Sequence, residues 1–166
     1  RRPPKRIGPT WGDAHGVMNT PDTTTSGNVH GMPLAALLGQ EPAELASIGS
    51  TPSVLPEHTV LVGIRNLDER EKDRIRAAGV HVFTMKDIDR HGIAVVAERA
   101  IALASASTGG IHVSFDLNVC DGWTLGGEIR NAPASTLAQP LAELLSARHE
   151  DQAVPLSIFR NQPDPC

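Results

Sequence analysis

The stretch TVLVGIRNLDEREKDRIRAAGVHVFT, residues 59–84, decides the fold class. Its first six residues, 59–64, are a short β-branched run and read as a buried strand. Residues 68–78 (DEREKDRIRAA) read as a charged helix, with Gly79 placed to cap its C-terminus. Residues 80–84 (VHVFT) supply the next strand. Further on, residues 89–106 predict one long alanine-rich helix whose apolar positions Ile93, Val96, Ala97, Ala100 and Ile101 fall at helical spacing. Gly109 and Gly110 end it, and residues 111–115 (IHVSF) read as a third central strand. Strand, helix, strand, helix, strand is the order of an α/β parallel sheet with crossover helices. Upstream, Pro33 opens a short helix over residues 33–39.

The 166 residues give room for one domain, and at 40% hydrophobic and 20% charged they can build a buried core. A net charge of −4 gives a phosphate backbone no electrostatic support, and 3% aromatics without tyrosine argue against base stacking; no nucleic-acid partner is expected. No run approaches the ~20 apolar residues of a membrane span, and no signal peptide is recognisable at the start, so a cytoplasmic setting without a membrane partner is expected. Two cysteines, Cys120 and Cys166, are too few for a disulfide framework or a structural zinc site. Residues 1–10, with four basic residues and three prolines, read as a disordered basic arm. Residues 11–150 read as the domain, and the proline-bearing residues 151–166 as an irregular tail.

In parallel sheets ligands bind beyond the carboxyl ends of the strands, and two polar clusters fall there. In WGDAHG (11–16), Asp13 and His15 are two apart, so an extended segment would point both to one face; Val17, next on that face, has no donor atom. A carboxylate with an imidazole suits Mn²⁺ or Zn²⁺ better than Ca²⁺. The second cluster, SFDLNVCD (114–121), leaves an apolar strand and presents Asp116 and Asn118 at i, i+2. A buried strand-end aspartate costs several kcal/mol unless it is paired or metal-bound. Surface turns and caps also account for the same residue types.

Residues 11–39, WGDAHGVMNTPDTTTSGNVHGMPLAALLG, closely resemble the metal- and substrate-binding segment of arginases, and residues 61–74 (LVGIRNLDEREKDR) and 111–121 (IHVSFDLNVCD) agree in the same order. The resemblance implies the three-layer arginase/deacetylase α/β fold, incomplete at its N-terminus, with two manganese ions at the strand ends. It implies hydrolysis of L-arginine to L-ornithine and urea by a metal-bound hydroxide attacking the guanidinium carbon. Carried over residue by residue, Asp13 and Asp116 would bridge the metals and His15 would ligate one. His30 matches the proton-shuttling histidine. Asn19, Thr24 and Ser26 match the α-carboxylate-binding residues, and Asp68 and Glu71 the α-amino recognition pair. Family members commonly assemble as trimers or hexamers, so a homo-oligomer is also implied.

Departures from the family pattern are specific. Aspartate ligands are replaced by Val17 and by Asn118, which still lends a neutral carbonyl oxygen. The family's Gly-Gly-Asp-His segment is not found, the run Gly122–Gly127 does not follow the family's loop, and Arg160 stands roughly where its late glutamate would be. Two dications at ~3.5–4 Å repel by roughly 20 kcal/mol at an effective dielectric of about 20, which two carboxylates hardly offset. The expectation is one weakly bound manganese at most, with Asp13, His15, Asp116 and Asn118 as candidate ligands, and weak or absent turnover. Two alternatives are a non-catalytic arginase-like binding protein and a disrupted gene fragment.

Overall fold

The computed structural model describes residues 6–116, Val119 and the backbone of Leu156–Phe159. Strand β1 (Gly8–Gly12) lies at the centre of a five-stranded sheet. β2 (Val60–Ile64) and β3 (His81–Thr84) follow on one side, and β4 (Ile111–Asp116) and β5 (Leu156–Phe159) on the other, giving the order β3-β2-β1-β4-β5. Every pairing is parallel. The helices are α1 (Pro33–Leu37), α2 (Ala43–Ala46), α3 (Glu69–Ala78), α4 (Met85–His91) and α5 (Ile93–Ser105).

The buried run of β2 explains the layering. Val60 and Val62 face one core with Val96, Ala97, Ala100 and Ala104 of α5 and Met85 and Ile88 of α4. Leu61 faces the other core with Leu34 of α1, Ile75 of α3 and Met18. Each fully buried valine, leucine or methionine side chain among these contributes about 1.5–3 kcal/mol. Strict alternation would return Ile64 to the first core, yet it packs in the second. Gly63 is the cause: at φ +85° it interrupts the β2–β3 register. A Cβ there would lie 2.3 Å from Val119, so glycine is required by conformation and by space.

Helix α3 begins as read from the sequence, with Asp68 as N-cap accepting the Glu71 N–H at 2.8 Å, and Gly79 closes it at φ +74°. Three expectations need correction. The single helix expected over 89–106 is two: the Asp87 carboxylate accepts both the N–H and the O–H of Thr84 at 2.7 and 2.6 Å, starting α4 early. Gly92, at φ +82° and ψ 153°, then breaks the run before α5. Second, the basic arm does not extend to residue 10, because Gly8–Thr10 already pair with Ile111–Val113. Third, the tail expected to be irregular contributes Leu156–Phe159 as β5, where parallel pairing with β4 satisfies its backbone. Among the described residues no helix is long and apolar enough to cross a membrane.

Candidate active site

The pairing of Gly12 with Phe115 brings the carboxyl ends of β1 and β4 side by side, so Asp13 and Asp116 follow from adjacent strand ends. The extended run expected through Asp13, His15 and Val17 is not formed. β1 stops at Gly12, and the Asp13 Oδ1 accepts the His15 N–H at 2.9 Å, a local turn that competes with strand continuation. The two side chains converge through this turn, with His15 Nδ1 3.2 Å from Asp13 Oδ1. Asp13 is buried and His15 half exposed. The Asp13 hydrogen bond raises the His15 pKa above its ordinary value, with partial burial opposing it.

Past this turn Val17 adopts φ +47°, a left-handed conformation that is unusual for a β-branched residue and natural for aspartate or asparagine. The following loop is tied internally. Thr23 Oγ1 donates to Asn19 Oδ1 at 2.9 Å and accepts the Thr20 N–H at 2.9 Å. The Asn19 N–H donates to the Gly31 carbonyl at 3.0 Å. Asn19 Nδ2 reaches Asp68 Oδ2 at 3.3 Å, which links this loop to the cap of α3. One turn into α3, Glu71 is buried and its Oε1 accepts the Met18 N–H at 2.9 Å. Burial raises the Glu71 pKa, and the Met18 N–H works against that rise.

These segments enclose a cavity of about 590 Å³. Of the residues singled out from the sequence, Asp13, His15, Asn19, Ser26, His30, Asp68, Glu71 and Asp116 all line it. Thr24 does not; its Oγ1 accepts the Gly27 N–H at 3.1 Å and shapes the turn, while its neighbour Thr25 reaches the lining. Asn118 lies outside the described residues, as do Gly122–Gly127 and Arg160. Trp11, Asn66 and Ser114 also line the cavity and were not read as site residues. Asn66 Nδ2 sits 3.4 Å from His15 Nε2. Its signal was positional: it occupies the loop leaving β2, where parallel sheets place ligands. The lining carries four carboxylates, Asp13, Asp68, Glu71 and Asp116, and no lysine or arginine among the described residues. Its chemistry therefore favours a cationic guest.

Of the ligands expected from the sequence, Asp13, His15 and Asp116 line this wall. Val17 also lines the cavity and offers only methyl groups. Among the described residues no three His, Cys, Asp or Glu side chains form a group able to hold a metal ion. The described residues thus do not fit a two-metal centre.

The family model for the arginase family matches residues 2–127, a longer stretch than residues 11–121 that carry the resemblance in the sequence. The arginase of Bacillus caldovelox is 48% identical over 118 residues, spanning 70% of this chain and 40% of that protein. The Bacillus subtilis arginase is 44% identical over 116 residues, 69% of this chain and 39% of its own length. The chain thus spans less than half the length of these relatives. Among solved structures, the native B. caldovelox arginase superposes with a TM-score of 0.77 at 38% identity, covering 95% of this chain and 54% of that one. The Entamoeba histolytica arginase in complex with L-ornithine superposes at 0.74 with 32% identity, covering 95% and 53%. A parallel sheet whose adjacent strand ends bear Asp13 and Asp116, matched over most of its length by one family model, makes this chain a member of the arginase family.

Proposed function

We propose that this chain carries the substrate-recognising half of an arginase-type amidinohydrolase site, specific for L-arginine and acting toward L-ornithine and urea. The observation that carries the reading is the single cavity holding Asp13, His15, Asn19, Ser26, His30, Asp68, Glu71 and Asp116. The chain's own residues divide the work. Asp68, with Glu71 behind it, receives the α-amino group, and Asn19 and Ser26 face the α-carboxylate. The acidic floor of Asp13 and Asp116 attracts the cationic guanidinium end. His30, exposed at the rim in the single turn Val29–Gly31, is the group able to exchange protons with solvent. The E. histolytica relative, solved with L-ornithine, supports an α-amino acid as the guest.

Turnover by this chain is weak or absent, because Val17 removes a ligand and leaves at most one weakly held manganese. Val17 also favours a second reading, a protein that binds the amino acid without hydrolysing it. A cytoplasmic setting and a homo-oligomeric assembly are part of this proposal. The deciding experiment measures urea release from L-arginine with added Mn²⁺ beside calorimetric binding of L-arginine and of Mn²⁺. Arginine binding with slow urea release is expected. Binding without urea establishes the second reading, and no binding of arginine with or without Mn²⁺ defeats both.

A further inference from the structure

Helix α3 grips the loop beneath the cavity at two points one turn apart. Glu71 Oε1 accepts the Met18 N–H at 2.9 Å, and Arg74 Nε donates to the Met18 carbonyl at 2.9 Å. The far end of the same guanidinium donates to Gln40 Oε1, anchoring Arg74 to the chain beyond α1. Spacing of i, i+3 puts Glu71 and Arg74 on one helix face, so they hold the two peptide planes on either side of Met18. The Met18 side chain is fully buried, closing the third direction of escape.

The residues flanking Met18 give this grip a purpose. On one side is Val17 at φ +47°, a conformation that disfavours a β-branched residue. On the other is Asn19, which lines the cavity and bonds Asp68. Rotation at Val17 toward ordinary φ values would swing everything after it, and Asn19 is the first cavity residue in its path.

We infer that Glu71 and Arg74 form a backbone clamp on Met18 that holds Val17 left-handed and so keeps Asn19 in the site. Arg74, which does not line the cavity, is then a positioning residue for ligand recognition. The ligand part of this inference rests on the proposed amino-acid recognition; the backbone part does not.

The test compares Arg74→Met and Arg74→Lys in two backgrounds of the whole 166-residue chain, the parent and Val17→Gly, each checked for folding by its melting temperature. Amide hydrogen exchange at Asn19 and calorimetric affinity for L-ornithine are the readouts. In the parent, Arg74→Met should speed Asn19 exchange and weaken L-ornithine binding by about tenfold, the factor equivalent to the lower part of the strain range. Arg74→Lys, which keeps a charged donor for the Met18 carbonyl, should recover much of the loss. In the Val17→Gly background the same Arg74→Met change should cost less than about threefold, because glycine takes positive φ without strain. Unchanged exchange after Arg74→Met, or an equal loss in both backgrounds, overturns the clamp. Failure of the parent to bind L-ornithine would count against the functional reading alone, since the exchange data still decide the clamp.

Discussion

Asp13 and Asp116, far apart along the chain, emerge from neighbouring strands because Gly12 and Phe115 are register partners in the parallel β1–β4 pair. The cavity owes its acidic floor to that register. A slip of one residue would send one of the two carboxylates to the opposite face of the sheet.

Adding a carboxylate beside this floor should raise metal affinity. Val17→Asp adds a donor that the described site lacks, at a backbone conformation aspartate tolerates. We expect Mn²⁺ to bind at least about tenfold more tightly by calorimetry, the equivalent of one added charged ligand. Combined with Asn118→Asp, the gain should exceed the sum of the two separate gains, since coupled ligands feed one cluster. Strict additivity would mean that Asn118 does not share the cluster.

Protons should compete with that metal at His15. Hydrogen bonding to Asp13 raises the His15 pKa, so the folded state favours the charged ring. The stability this contributes is fully present below the ordinary histidine pKa of about 6.5 and is lost as pH rises through the folded value. A ring that must be neutral to ligate will bind Mn²⁺ more weakly as pH falls through the same value. NMR titration of His15 should show the raised midpoint, and Asp13→Asn should bring it down.

Glu71 should show the opposite economy of charge. Burial raises its pKa, so the folded state holds a proton that the unfolded chain has released, and stability falls as pH rises from the ordinary glutamate value through the folded one. Glu71→Gln keeps an oxygen for the Met18 N–H and removes the ionisation. Its melting temperature at pH 7 should equal or exceed the parent's, and part of the acid-side slope should vanish. A lower melting temperature at pH 7 would contradict a burial penalty on the charge.

At Gly63 the backbone leaves no alternative residue. Gly63→Ala places a methyl 2.3 Å from Val119 and in a left-handed conformation, and should cost about 2–4 kcal/mol in denaturant melts. Asp87→Ala, which removes only a helix cap, should cost about 1 kcal/mol.

Much of the fold was legible from local signals. The β-branched run before Asp68 and the Gly79 cap define β2 and α3 because each depends on residues close in sequence. The break at Gly92 was missed because the flanking apolar spacing suits one continuous helix, and only the Thr84–Asp87 box reveals the earlier start. β5 was missed because three prolines within 155–166 mask a four-residue strand whose partner lies elsewhere in the chain.

The sequence by itself determined the donor types, the family they resemble and the valine at position 17, since these are matters of residue identity. Only the tertiary structure decided which donors meet. The Gly12–Phe115 register, the Gly63 bulge and the two-point hold of α3 on Met18 join residues far apart in the chain. Such contacts depend on parallel pairing and core packing that close together, and no local pattern of residues encodes them.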